Sequence, residues 1–98
     1  MDDYDRVIHQ PVRLRIMTVL TSLEDDEQLN FVDLRSLLNA TDGNLGAHLQ
    51  KLEDAGYIAT EKVFIDRKPC TWVRATPEGT KAYRKHVQYL RDLVGEAM

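Results

Sequence analysis

The stretch from Thr41 to Ile58, TDGNLGAHLQKLEDAGYI, decides the fold. Thr41 is a good N-cap, its hydroxyl able to accept from a backbone N–H of the first turn, and Asp42 puts negative charge beside the positive end of the helix dipole. Leu45, Leu49 and Leu52 follow at i, i+4 and i+7, so at about 100° per residue they form one narrow apolar stripe. The opposite face carries Gly43, Asn44, Ala47, Gln50 and Lys51, small or polar groups that let another molecule approach closely. Gly56 suits the left-handed residue that ends a helix. A helix over 42–55 is therefore predicted, with a seam turned to the core and a polar face left open.

The neighbouring segments supply the rest of the architecture. Upstream, Asn30 is an N-cap for a helix with Phe31, Leu34, Leu37 and Leu38 on its apolar side. Only Asn39 and Ala40 separate it from the 42–55 helix, and two helices joined by so short a turn make a helix-turn-helix. Before them, Gln10-Pro11 opens a helix predicted to run from Pro11 to Leu23, because proline at the first helical position lacks a donor that would be unpaired there anyway. Its apolar positions are Val12, Ile16, Val19, Leu20 and Leu23; an acidic, frayed start precedes it and a charged loop, Glu24–Gln28, follows. Downstream of Gly56 the period shifts towards two, with Ala59, Glu61, Val63 and Ile65 alternating with Thr60, Lys62 and Phe64, which reads as a strand. Asp66-Arg67-Lys68-Pro69 forms a polar connection, and Cys70–Ala75 a second strand, so the pair is a hairpin with a basic tip. Thr76-Pro77-Glu78 then starts a last helix reaching about Ala97. Its positions Tyr83, Val87, Leu90 and Val94 are spaced four, three and four, the beginnings of a heptad seam suited to a partner helix.

Ninety-eight residues make one domain, and a 43% apolar and 30% charged composition without low-complexity tracts is that of an ordinary soluble protein. No apolar run approaches the roughly 20 residues needed to cross a bilayer, and the acidic N-terminus is unlike a secretory signal, so a cytoplasmic protein without membrane contact is expected. The single cysteine, Cys70, fits a reducing compartment and reads as a small strand residue beside Trp72. A net charge of −3 argues mildly against nucleic acid, whose phosphates demand lysine and arginine. Distribution softens this. Residues 1–30 hold seven acids against Arg6, Arg13 and Arg15, a balance of −4 that leaves the remainder at +1.

Helix, helix, helix, wing and terminal helix is the order of the winged helix-turn-helix, an α+β, mostly α fold with a two-stranded wing and a long C-terminal dimerisation helix. RLRIMTVL at 13–20, NFVDLRSLL at 30–38, the 41–58 segment and TPEGTKAY at 76–83 resemble bacterial and archaeal winged-helix transcriptional regulators of the MarR/ArsR-like kind. The resemblance covers nearly the whole chain, 1–98, with a winged-helix core at 11–76 and a terminal dimerisation helix at 77–97. It implies a homodimer that reads the major groove of double-stranded DNA with helix 42–55 and touches the backbone or minor groove with the wing tip, 66–69. Carried over by position, it makes Thr41, Asn44, Ala47, His48 and Lys51 contacts of the reading helix and Arg67 and Lys68 those of the wing tip, while the heptad seam makes Tyr83, Val87, Leu90 and Val94 the dimer interface, the alternative being that the seam packs onto the first helix of its own subunit. Asn44 suits a bidentate contact to adenine, Lys51 phosphate or guanine, and Ala47 a thymine methyl. Asp66 beside Arg67 departs from a basic wing. Two-fold symmetry would call for a pseudo-palindromic site with half-sites about 34 Å apart.

Other readings carry less. No catalytic constellation or phosphate loop is present, so no enzyme and no cofactor are expected. A metal site is disfavoured because Cys70 is alone and His9, His48 and His86 lack ligand spacing. His48, between stripe and open face, suits a partly buried packing role more than contact. The serious alternative is a winged-helix protein–protein interaction module without direct DNA binding, which the acidic balance favours. Any small-molecule effector would have to act in a dimer crevice between the first and terminal helices.

Overall fold

The computed structural model describes residues 4–97 and contains, in chain order, α1 (Arg6–His9), α2 (Pro11–Thr21), β1 (Leu29–Asn30), α3 (Phe31–Leu38), α4 (Asp42–Asp54), β2 (Ile58–Ile65), β3 (Lys68–Ala75) and α5 (Pro77–Ala97). Among the described residues the strands form one antiparallel sheet in the order β1-β3-β2, with Leu29 opposite Val73 and Ile58 opposite Ala75. The wing hairpin is β2 with β3, as expected, and β1 adds a short third strand to the sheet beside Trp72 and Val73. Leu29 and Asn30 are too few to show a period, and they become a strand only because β3 offers them an open edge at Trp72 and Val73.

Local chemistry accounts for the helix limits. The Gln10 side chain accepts from the Arg13 N–H, and Pro11 opens α2 as expected. The helix stops at Thr21, short of Leu23: the Thr21 and Ser22 hydroxyls turn back onto the carbonyls of Met17 and Val19, and the chain leaves for the acidic loop. From Asp5 on, the segment expected to be frayed is instead a capped helical turn. Asp5 caps the one-turn α1, accepting from the Ile8 N–H at 3.0 Å; the acids Asp2 and Asp3 lie outside the described residues.

The core gathers Ile8, Ile16, Met17, Leu20, Leu34, Leu38, Leu45, Leu49, Leu52, Ile58 and Val73. Helix α2 is its centre, packing against α1, α3, α4, α5 and β3. Leu37, expected on the buried side of α3, is 60% exposed. Leu34 and Leu38 already define the inward direction, and Leu37 lies about 60° to one side of Leu34 on an eight-residue helix too short to bury a wide stripe.

Two features fasten α5 to this core. Its first turn lies against the backbone after α4: the Thr76 N–H donates to the Tyr57 carbonyl at 3.0 Å, and the Thr76 hydroxyl donates to the Gly56 carbonyl at 2.7 Å. A Cβ at Gly79 would fall 2.0 Å from the Tyr57 carbonyl oxygen, so only glycine allows this approach. Two turns further on, His86 is fully buried. Its Nδ1 accepts from the Asp5 backbone N–H at 3.0 Å and must therefore be unprotonated. A neutral His86 then carries its proton on Nε2 and donates to Nδ1 of His9, 3.1 Å away. Asp5 also accepts from the Tyr57 hydroxyl at 2.5 Å, a bond that pushes the tyrosine pKa up to about 12. α1 is thereby tied to both α5 and the end of α4.

Candidate nucleic-acid interface

Helix α4 is specified at both ends by groups near in sequence. The Thr41 hydroxyl accepts from the Asn44 N–H at 3.2 Å. At the other end Gly56 takes φ +81°, and the N–H groups of Gly56 and Tyr57 close onto the carbonyls of Glu53 and Leu52, the paired bonds of a Schellman motif. The preceding turn uses the same device without glycine: Asn39 adopts φ 52°, and Asn39 and Ala40 donate to Ser36 and Arg35. These short-range bonds set how α3 delivers the chain into α4.

The stripe Leu45, Leu49 and Leu52 is buried, and Thr41, Asn44, Ala47 and Lys51 lie on the far side, with Thr41, Asn44 and Lys51 exposed. This face is not basic. Asp42, Glu53 and Asp54 outnumber Lys51 along α4, although Asp42 is neutralised by an ion pair with Arg35 of α3. His48, at the edge of the face, has Nδ1 3.1 Å from a guanidinium nitrogen of Arg13, which also donates to the Val7 carbonyl. Arginine only donates, so Nδ1 of His48 accepts and its proton sits on Nε2. Burial first, then the Arg13 charge, lowers the His48 pKa and keeps the ring neutral.

The wing tip is tighter than the four-residue connection expected at 66–69. Asp66 and Arg67 alone form the turn, at φ 51° and 69°, while Lys68 and Pro69 already pair with Ile65 and Phe64. Two successive left-handed residues match the twist of a hairpin, but glycine usually takes the second place, and an arginine there is strained. Arg67 and Lys68 are exposed at the tip, and Phe64 beside them is 77% exposed.

The expected dimer residues divide into two groups. Tyr83 is half-buried against the core of its own chain and its hydroxyl lies 2.9 Å from that of Thr18. Val87 and Leu90 are half-buried, whereas Val94 is 60% exposed and Leu93, which a four-three-four spacing omits, is 50% exposed. His9 and His86 meet although 77 positions apart, which no spacing rule could show. Among the described residues no three histidines, cysteines or acids gather to hold a metal ion.

Comparison with known proteins agrees with this geometry. Residues 12–94 match the family model described as winged helix DNA-binding domain. The chain belongs to that family. It is 34% identical over 88 residues to an uncharacterised protein of Methanocaldococcus jannaschii, covering 90% of this chain and 92% of the other. The structure of a transcriptional regulator homologue from Pyrococcus horikoshii superposes with a TM-score of 0.84 at 30% identity, over 95% of this chain and 89% of that one. A crystal structure described as a possible transcriptional regulator for arsenical resistance has a TM-score of 0.68 at 24% identity, covers 100% and 98%, and shares the fold. The winged-helix order read from the sequence therefore holds, with the sheet one strand larger.

Proposed function

We propose that the protein is a sequence-specific transcriptional regulator that binds double-stranded DNA as a homodimer. The supporting observation is the open polar face of α4: Asn44, Ala47 and Lys51 share one side of a helix held at both ends and from behind. A 13-residue helix of this kind is about 20 Å long and slender enough for the major groove, which is about 12 Å wide. Thr41, at the amino end, suits a phosphate, Asn44 and Lys51 suit base edges, and His48 offers its Nε2–H from the flank. Arg67 and Lys68 meet the backbone or minor groove from the wing tip. The family and the kinship with the Pyrococcus horikoshii regulator homologue point the same way.

The second copy docks on α5 through Val87, Leu90, Leu93 and Val94. An apolar end left bare on so small a domain favours a partner helix, and Tyr83 serves its own subunit instead. Two reading helices in such a dimer present themselves to half-sites about 34 Å apart in a pseudo-palindrome.

The test is selection of bound genomic fragments followed by titration of the best duplex at rising salt. Affinity should fall steeply from low to moderate salt, Lys51→Ala should lose base preference, and Arg67→Ala should weaken all sequences alike. Fragments without a shared motif, together with salt-insensitive binding, would favour a protein-docking module instead.

A further inference from the structure

A cluster of four cations lies away from the reading helix. Arg74 of β3 and Lys81, Arg84 and Lys85 of α5 line one open groove of about 630 Å³ floored by Ala75 and Pro77, and among the described residues no acid lines it. Lys81 with Arg84 and Lys81 with Lys85 are i,i+3 and i,i+4 pairs of like charge, which oppose helix formation. Among the described residues none of the four cations makes an ion pair, although the chain holds 16 acids against 13 lysines and arginines and so has carboxylates to spare. Glu78, the one acid in the first four turns of α5, does not line the groove. Glu24, Asp25, Glu27 and Glu61 line an adjoining groove that shares Arg74 and Arg84, whereas Lys81 and Lys85 line only the groove without acids.

We propose that this groove is a binding site for a compact ligand carrying contiguous phosphates, of the polyphosphate or nucleoside polyphosphate class. Four cations along one shallow, open groove suit several linked phosphate charges better than one, their aliphatic stems supplying much of its lining, and the volume is that of a small-molecule site. A single DNA duplex held by the reading helix and wing tip does not explain the cluster. Arg74 lies six residues up β3 from Lys68, about 20 Å from the tip at the rise of an extended strand, and the three α5 cations line the same groove as Arg74.

Inorganic tripolyphosphate is the probe, and Trp72, the only tryptophan, is the reporter, since it lines the adjoining groove together with Arg74 and Arg84. Titration at moderate salt should give a saturable change in its fluorescence, with one ligand per chain confirmed by calorimetry. Lys81→Gln/Lys85→Gln, two exposed positions where folding is not at risk, should weaken tripolyphosphate by at least about tenfold and leave duplex affinity within about threefold. Arg84→Gln should act in the same direction, and Lys51→Ala should weaken duplex alone. The proposal is overturned if no saturation occurs by millimolar ligand, if sulfate binds as tightly as tripolyphosphate, or if the lysine pair weakens duplex and tripolyphosphate equally. The last result would make the groove part of the DNA surface. Because the probe needs no operator, these results stand apart from whether the reading helix binds DNA.

Discussion

Helices α4 and α5 both begin at a threonine cap and both carry an apolar stripe, yet they leave opposite faces uncovered. Helix α4 buries its whole stripe, Leu45, Leu49 and Leu52, and exposes small and polar groups. Helix α5 buries its beginning, through Gly79 and His86, and exposes apolar side chains at its end, Leu93 at 50% and Val94 at 60%. A bare polar face on a rigid, capped rod suits a hydrated groove such as that of DNA, and a bare apolar end suits another apolar surface. Charge separates them further: acids prevail along α4 and cations along the first half of α5. Affinity for the phosphates of DNA would therefore have to come mostly from outside the reading helix, from Arg67 and Lys68 at the wing tip.

The contrast depends first on how α5 is seated. Gly79→Ala forces a Cβ onto the Tyr57 carbonyl and should cost about 3 kcal/mol or more, measured by denaturant unfolding; Gly43→Ala, where a Cβ meets nothing within 4 Å, should be neutral or stabilising. Equal effects at the two glycines would mean that α5 is not fastened there. Next comes the bare end. Leu93→Glu/Val94→Glu should convert a dimer to a folded monomer in sedimentation and weaken binding to a two-half-site duplex by well over tenfold, since the linked second contact is lost. A dimer that survives would place the interface elsewhere.

The seating of α5 also carries a pH dependence. Burial, aided by the charge His9 would carry, lowers the His86 pKa, against a smaller opposing pull from Asp5; His48 is lowered too. In the unfolded chain both rings take a proton near pH 6.5. The unfolded state therefore binds more protons just below that pH, so stability is complete above about pH 6.5 and falls as the pH drops through the depressed folded values. Thermal melts from pH 7.5 to 5 should show this decline, and His86→Gln should flatten it. A variant with the slope unchanged would remove His86 as its source. The smallest effect is expected at the wing. Arg67→Gly relieves a left-handed arginine and should stabilise the fold by up to about 1 kcal/mol while weakening duplex binding, so that stability and affinity move apart.

How much of the molecule is legible in its sequence follows from how local each cause is. Thr41, Leu45, Leu49, Leu52 and Gly56 follow one another at steps of three or four residues, so α4 and its polar face can be read directly from the chain. The Thr76-Pro77-Glu78 start of α5 is equally plain. Strand β1 is not, since it exists only through Trp72 and Val73, more than 40 positions away. Neither are the His9–His86 bond and the collision that makes Gly79 obligatory, because each joins segments that carry no mark of their meeting. The wing turn is concealed for a different reason: Asp66-Arg67 lacks the glycine that announces a two-residue hairpin, and the left-handed arginine takes its place. Exposure of the α4 face is a property of this chain, but its contact with DNA belongs to a complex.

That contact is tested most directly by cutting DNA from the helix itself. Ala47→Cys in a Cys70→Ser background gives one thiol, at the centre of the open face, to carry an iron chelate that cleaves nearby sugars. On the best selected duplex, two clusters of cuts should appear about 34 Å apart, each centred in the major groove. Duplex that is bound but cut nowhere in the major groove, or cut only by a chelate placed on the opposite side of the domain, would contradict a reading role for α4.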